Sequence, residues 1–213
     1  MDAQTVMAVL EELEELYPQA GAELNFTNPF ETVVATVLAA QCTDKRVNMV
    51  TARLFPMYPD AKAMAQLTPE ELEPMIQECG LYHNKARSIV ELSRMLVEKY
   101  DGRVPDTMEE LVALPGVGRK TANVVLANAF GQPAFAVDTH VFRVRNRIGL
   151  AHASNVQETE RQLMAAVPRE RWSHTHHLLI WHGRRCCAAR KPACERCPIV
   201  QCEFRNGGNA END

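Results

Sequence analysis

The sequence predicts an all-α fold built from two helical domains. Apolar residues recur at helical spacing along the chain, capping residues precede most of these stretches, and the alternating pattern of β-strands is nearly absent. With 213 residues, of which 46% are hydrophobic and 23% charged, the chain is long enough to bury a substantial core. A disordered chain and a small disulfide scaffold are therefore excluded.

Helix boundaries in the first half of the chain follow from caps and stops. Asn28 and Thr68 are N-cap residues, each followed by a proline and, three residues on, by a glutamate. Pro18 ends the helix before them, and Gly80 ends the helix that Thr68 opens. We predict helices over residues 6–17, 29–40, 69–80 and 84–100.

The second half of the chain carries the same signals. Asp106, Asp138 and Asn155 are predicted N-caps. We predict a helix opened by Asp106, four more over residues 119–129, 139–149, 156–167 and 174–182, and a frayed polar tail over residues 206–213.

Membrane and secretory classes do not fit this chain. Its most apolar stretch, residues 33–40, is far shorter than the ~18 residues of a membrane span. No Lys or Arg precedes Lys45, and no apolar region with a cleavage site is visible. We therefore expect an intracellular protein in a reducing compartment, with no membrane partner.

The net charge of −4 conceals an uneven distribution. Residues 119–147 and residues 184–205 each carry a net charge of +4, so the remainder of the chain is acidic. A basic face on an acidic body is typical of proteins that grip a phosphate backbone. Solvated helix faces would explain the same charges equally well.

A glycine hairpin separates two predicted helices at Leu-Pro-Gly-Val-Gly, residues 114–118. We expect Gly116 and Gly118 to adopt positive φ and to let backbone N–H groups approach a DNA phosphate, with Arg119 beside them. A bare Gly-x-Gly is more often an ordinary interhelical turn. The longer string through Thr-Ala is more specific, and it resembles the helix-hairpin-helix element of DNA repair proteins.

Lys120 and Asp138 are the candidate catalytic residues. Lys120 lies opposite the apolar stripe of its helix, where a lysine is usually only solvated. Arg119, the helix N-terminus and partial burial would each favour a neutral, nucleophilic amine. Asp138 is explained as an N-cap that stabilises by about 1 kcal/mol, yet a rigid carboxylate also suits positive charge next to a lysine.

Five of the seven cysteines lie between residues 186 and 202, a spacing that indicates a metal site. Cys187, Cys194, Cys197 and Cys202 follow the spacing Cys-x6-Cys-x2-Cys-x4-Cys, and Cys186 is an extra neighbour. Four thiolates fit either a [4Fe-4S] cluster or a structural zinc, and a single tight pair favours the cluster.

The basic residues of the cysteine loop, the other two cysteines and the histidines near it are expected to have roles other than metal binding. Arg190 and Lys191 lie in the first cysteine loop and are predicted DNA contacts. Cys42 and Cys79 are expected in the core. The histidines at positions 174, 176, 177 and 182 show no His–His pair at i, i+4 spacing, so they indicate packing and surface positions.

Together these elements resemble the endonuclease III family of the helix-hairpin-helix DNA glycosylase superfamily. The matching segments cover nearly the whole chain and read Ala-Gln-Cys-Thr-Asp (40–44), Gly-Leu-Tyr (80–82), Leu-Pro-Gly-Val-Gly-Arg-Lys-Thr-Ala (114–122), Val-Asp-Thr-His-Val (137–141) and the cysteine loop. The resemblance implies a six-helix domain over residues 22–132 and a [4Fe-4S] domain over residues 1–21 plus 133–213. It also implies that Lys120 and Asp138 face each other across the interdomain cleft.

The function that this resemblance implies is bifunctional. The protein would remove oxidised pyrimidines from duplex DNA in base excision repair and cut the strand by β-elimination. Lys120 matches the nucleophile that forms a Schiff base, Asp138 the assisting carboxylate, and Gln41 and Leu81 the residues that fill the hole left by the flipped nucleotide. We expect a monomer in the cytoplasm, associated with the nucleoid, acting on duplex DNA with damaged bases or abasic sites.

Three other assignments compete with this one. A monofunctional mismatch glycosylase would lack a lysine at position 120, and a non-catalytic helix-hairpin-helix module gives no reason for Lys120 together with Asp138. A zinc-stapled DNA-binding protein would keep the cysteines without iron. The chain departs from the family pattern in one place, because four residues rather than five precede Cys202.

Overall fold

The computed structural model describes residues 1–207, and these residues form helices and turns without a β-strand. The prediction of an all-α fold is therefore confirmed. The predicted frayed tail lies outside the described residues, apart from Asn206 and Gly207. None of the described helices combines the length and the apolar character needed to cross a membrane.

Residues Ala22–Gln132 form one compact unit. Its seven helices are α2 (Pro29–Leu38), α3 (Asp44–Leu54), α4 (Ala61–Met64), α5 (Pro69–Ile76), α6 (Tyr82–Tyr100), α7 (Met108–Val112) and α8 (Arg119–Phe130). Helix α2 is buried along almost its whole length and packs against α8, while α6 packs against α4 and α5. The second unit joins Met1–Gly21 to the chain from Pro133 onward. Its helices are α1 (Ala3–Leu16), α9 (Thr139–Ile148), α10 (Val156–Ala166) and α11 (Trp172–Arg185).

The core of the second unit forms around α11. The apolar stripe of α1, which includes Leu10 and Leu13, is fully buried in one cluster with Val144 and Leu179. Each fully buried leucine contributes roughly 1.5–3 kcal/mol relative to an exposed one. Apolar burial thus holds α1 against helices from the second half of the chain.

The capping signals place most helix starts correctly. The Asn28, Asp138 and Asn155 side chains each accept a hydrogen bond from the backbone N–H three residues on, and Thr68 forms a complete capping box with Glu71. The predicted cap at Asp106 is wrong by one residue, because Thr107 caps α7. Helix α6 begins at Tyr82, two residues before its predicted start.

Candidate active site and cysteine site

The glycine hairpin of residues 114–118 joins α7 to α8 and is anchored by two buried side chains. Leu114 and Val117 are buried, and the Val117 N–H donates to the Leu114 carbonyl at 3.1 Å. Gly116 has φ +75°, and a Cβ built there would lie 2.6 Å from the Cβ of Ser88 on α6. Position 116 therefore accepts only glycine without rearrangement.

Gly118 behaves differently from the prediction. Its φ is −89°, so the expected positive φ is wrong at this residue. It is the N-cap of α8, no side chain caps that helix, and nothing lies within 4 Å of a Cβ built on it. Because glycine has no side chain, the N-terminal turn of α8 stays open to an approaching anion.

Lys120 occupies the first turn of α8 and is exposed, as is its neighbour Arg119. The partial burial expected for the Lys120 amine is therefore not observed. The first turn of α8 contains no acidic residue. The structure thus leaves Lys120 accessible at the positively polarised N-terminus of α8.

Asp138 has the local geometry of a rigid N-cap. Its Oδ1 accepts from the Val141 N–H at 2.8 Å, and the residue is half-buried at the start of α9. The preceding segment, residues 134–137, is buried, which fixes the backbone that leads into the cap. Two residues on, burial lowers the pKa of His140, although the Asp138 carboxylate opposes that shift.

Helix α9 also carries three of the arginines in the basic stretch of residues 119–147, and two of them do not lie on an exposed face. Arg145 and Arg147 are buried. Arg145 donates to the Ala151 carbonyl at 2.8 Å, and Arg147 donates to the Ala188 and Ala189 carbonyls at 2.8 and 3.1 Å. Arg143 donates to the Cys187 carbonyl. Arg143 and Arg147 therefore hold the cysteine loop, residues 187–202, in place. Arg190 and Lys191 are among the residues of this loop that are exposed.

All five C-terminal cysteines line one cavity. Its lining is Ile148, His182, Cys186, Cys187, Pro192, Cys194, Cys197, Cys202, Phe204 and Arg205. No carboxylate is among these lining residues, so the available donors are thiols and one imidazole. Burial raises the pKa of the Cys197 thiol to about 11, which means that metal binding there must release a proton.

The sequence missed the part that His182 plays in this cavity. Its Nδ1 lies 3.2 Å from the Tyr17 hydroxyl, and its Nε2 lies 3.7 Å from Cys197 Sγ. Among the described residues, His182, Cys186 and Cys197 are the one set of three whose possible metal-ligand atoms all lie within 4.8 Å of one another. The signal that could have revealed it is the i, i+4 spacing of His182 and Cys186 at the end of α11, a histidine–cysteine pair rather than a pair of histidines.

Gln41 and Leu81 share an unusual backbone. Both are exposed, and both adopt positive φ, 53° and 48°, which non-glycine residues rarely do. Gln41 follows α2, and Leu81 precedes α6. Lys85 Nζ donates to the carbonyls of Leu38 and Cys79, at 2.8 Å each, so one buried ammonium ties the two segments in place.

Comparison with known proteins points to one family. Residues 34–169 match the family described as HhH-GPD superfamily base excision DNA repair protein. The chain is 50% identical over 192 residues to endonuclease III of Bacillus subtilis (strain 168), covering 90% of this chain and 88% of the relative. It is 47% identical over 200 residues to endonuclease III of Escherichia coli (strain K12), covering 93% and 95%.

A solved structure agrees with these relatives. The chain is similar to the structure of a trapped endonuclease III–DNA covalent intermediate, with a TM-score of 0.92, 47% identity, and coverage of 97% of this chain and 98% of that one. The expected resemblance is confirmed. The chain belongs to the endonuclease III family within the HhH-GPD superfamily of base excision DNA repair proteins.

Proposed function

We infer that the chain is a bifunctional DNA glycosylase and abasic-site lyase of base excision repair, and we propose oxidised pyrimidines in duplex DNA as its substrates. The observation that carries the proposal is the exposed Lys120 amine, one residue from a hairpin whose backbone can approach a phosphate. A covalent DNA adduct is known for a relative of the same fold. We place this activity in the cytoplasm, at the nucleoid, and assign it to a monomer.

Lys120 is the proposed nucleophile. Its neutral amine attacks C1′ of the damaged nucleotide, a C–N bond forms, and the bond from C1′ to the base breaks as the base leaves. Loss of a proton and opening of the sugar give a Schiff base. Removal of a proton from C2′ then expels the 3′ phosphate, which cuts the strand on the 3′ side of the lesion.

Asp138 is the proposed electrostatic partner of this step. A carboxylate held by a cap hydrogen bond is fixed in place and need not reorganise when positive charge develops on the sugar. It also favours the proton transfers that free the amine. Both roles require the charge of Asp138, whereas the capping role requires only an oxygen acceptor.

DNA binding is proposed for three surfaces. Gly116, Gly118 and Arg119 of the hairpin hold a phosphate, and the exposed Arg190 and Lys191 neutralise phosphate charge. Gln41 and Leu81 are the proposed side chains that enter the stack where a nucleotide is flipped out. Their positive φ and the shared Lys85 anchor support the proposal, because rare backbone geometry persists where the surroundings enforce it.

A [4Fe-4S] cluster held by Cys187, Cys194, Cys197 and Cys202 is the proposed cofactor. The donors fit, since the four thiols line one cavity free of carboxylates. A single zinc ion would need four sulfurs roughly 4 Å apart. The described structure brings His182, Cys186 and Cys197 within 4.8 Å of one another, so the choice of the cluster rests on the cysteine spacing and the family resemblance. When bound, the cluster would cross-link the loop that carries Arg190 and Lys191. It would take no part in breaking or forming bonds in the DNA.

Borohydride trapping tests the proposal. The holoprotein is incubated with a duplex containing one thymine glycol, with and without borohydride, and an undamaged duplex serves as the control. We expect a covalent adduct with the damaged duplex alone and, without borohydride, a strand cut by β-elimination. Base release without an adduct would instead identify a monofunctional glycosylase, and neither product would identify a binding module.

A further inference from the structure

Lys85 on α6 is a buried lysine of the Ala22–Gln132 unit, and only 5% of its surface is exposed. Its ammonium donates to the Leu38 carbonyl and to the Cys79 carbonyl, at 2.8 Å each. Leu38 is the last residue of α2, and Cys79 is the last residue of the 3₁₀ turn Gln77–Cys79. Carbonyls at a helix end carry partial negative charge and have no partner within the helix, so one cation stabilises both ends.

The two residues proposed to enter the DNA stack follow these two helix ends closely. We call Gln41 and Leu81 the wedge residues. Gln41 is three residues after Leu38, and Leu81 is two residues after Cys79. Lys85 also binds Leu81 through its backbone, because its N–H donates to the Leu81 carbonyl at 3.1 Å. One residue thus holds the chain just before each wedge residue and also holds Leu81 itself.

The backbone of the wedge residues needs support of this kind. Gln41 has φ 53° and Leu81 has φ 48°, a left-handed conformation that residues other than glycine rarely adopt and that persists where the surroundings enforce it. Leu81 is the N-cap of α6 without a side-chain capping bond, and it is 53% exposed although its side chain is apolar. Packing therefore does little to fix Leu81, and the hydrogen bonds of Lys85 do more.

We propose that Lys85 is a positioning residue that presets both wedge residues for insertion into duplex DNA. The inference rests on the proposed function, which gives Gln41 and Leu81 that task. Taking a nucleotide out of a duplex costs the free energy of unpairing and unstacking. Wedge residues that are already in place compensate for this cost without first having to be ordered themselves.

This role makes Lys85 important for one class of substrate and not for another. A lesion in a fully paired duplex must leave the stack, so its removal needs the wedge residues. The same lesion in a short unpaired loop is already out of the stack and costs little to flip. Lys120 performs the same bond chemistry on both. Loss of the Lys85 contacts should therefore slow base removal from the paired duplex far more than from the loop.

Fluorescence of 2-aminopurine, placed beside a thymine glycol in a paired duplex, measures unstacking without turnover. The holoprotein carries Lys120→Gln in every sample, so that DNA binds and is not cut. We expect fluorescence to rise on binding and the rise to be largely lost when Lys85→Met is added. Lys85→Arg, which restores a cationic donor, should recover most of it. Lys99→Met, the same substitution at an exposed position of α6, should leave it unchanged. An undiminished rise with Lys85→Met would overturn the proposal.

Single-turnover base release from the two substrates tests the predicted difference. With Lys120 present, Lys85→Met should be roughly tenfold slower or more on the paired duplex and within about threefold of the wild type on the loop, since a small displacement of positioning groups can cost that much. Equal losses on both substrates would make Lys85 a merely structural residue and overturn the proposal. A wild type inactive on both would instead count against the proposed function, while the fluorescence result would still stand.

A double-mutant cycle shows whether Lys85 acts through the wedge residues. In a chain that already carries Gln41→Ala and Leu81→Ala, adding Lys85→Met should not change the ratio of the two rates any further. A further change as large as in the wild-type background would overturn the proposal. If Lys85→Met fails to fold, as judged by helical circular dichroism, Lys85→Gln keeps an N–H donor without the charge and takes its place in all three assays.

Discussion

Arg143 donates to the Cys187 carbonyl through both its Nε, at 3.2 Å, and a terminal nitrogen, at 3.1 Å. The same guanidinium donates to the Gly183 carbonyl at 3.0 Å, near the end of α11. Helix α9 thus carries Asp138 at its start and grips the cysteine loop from its middle. The Asp138 carboxylate and the cysteine loop are therefore connected through α9. We expect a change in the conformation of the loop to displace Asp138.

Lys120→Gln should abolish base release and borohydride trapping while damaged-duplex affinity changes little. The amine forms the covalent bond, whereas the hairpin and the exposed basic residues supply binding. The measurements are single-turnover base release, trapping and a binding titration. Lys99→Gln, which removes an exposed helical lysine from α6, is the matched control and should keep full activity. A covalent adduct that still forms with Lys120→Gln would show that another residue is the nucleophile.

Asp138→Asn and Asp138→Ala should separate capping from catalysis. Asparagine caps helices as well as aspartate, so the asparagine variant should keep its stability, whereas the alanine variant should lose about 1 kcal/mol. Both should lose activity by 10²-fold or more, in the range of about 10²–10³ for removal of one electrostatic group. Chemical denaturation and single-turnover rates measure the two effects. An active asparagine variant would reduce Asp138 to a cap.

Gly116→Ala should destabilise the first unit far more than Gly118→Ala. The added methyl at position 116 meets Ser88 and forces alanine to φ +75°, whereas position 118 has φ −89° and open space. We expect a cost of about 1–3 kcal/mol at position 116 and well under 1 kcal/mol at position 118. Denaturant midpoints compare the two variants, and equal midpoints would contradict the close approach to α6.

Stability should fall as pH drops from about 6.5 towards 3 because burial lowers the pKa values of both His177 and His182. Burial, followed by the neighbouring His176 and His174, lowers the pKa of His177 to about 3. Above pH ~6.5 the His177 side chain is neutral in both the folded and the unfolded state. Below that pH the unfolded chain binds a proton at His177 and the folded protein does not, so protonation favours unfolding. His177→Gln should flatten this decline in denaturation measured between pH 7.5 and 5. The exposed His83→Gln should leave it unchanged, and a decline equally steep in both variants would assign it to other groups.

The purified protein should be brown and contain about four irons and four sulfides per chain. Cys202→Ser should lower the iron content and bleach the visible absorbance, because the shortened final loop still supplies a ligand. Cys186→Ser should keep both. If Cys186→Ser lost iron and Cys202→Ser kept it, Cys186 would be a cluster ligand in place of Cys202. A colourless protein that contains one zinc would exclude the cluster.

Helices α2, α5 and α9 were predicted because each combines an N-cap side chain with apolar residues at helical spacing. Helix α3 was missed although Thr43 caps it and Val47, Val50 and Leu54 are its buried face. The remaining residues of α3 are mostly polar, which weakens the periodicity. Helix α4 is a single turn, and periodicity cannot be recognised over four residues.

The candidate site was predictable where a residue's role is local. The Asp138 cap and the cysteine spacing depend on neighbours in sequence. The burial of Arg145 could not be predicted, since arginine is seldom buried and its partner carbonyls are supplied by tertiary folding.

The split construction of the second unit sets an order of assembly on the ribosome. Residues 22–132 are contiguous and can fold as soon as they emerge, whereas α1 must wait for α11 and the cysteine loop to be synthesised. Throughout that interval the apolar face of α1, which includes Leu10 and Leu13, lacks the residues that bury it in the folded unit. A chain that ended before α11 would leave the apolar face of α1 without the residues that bury it, among them Leu179.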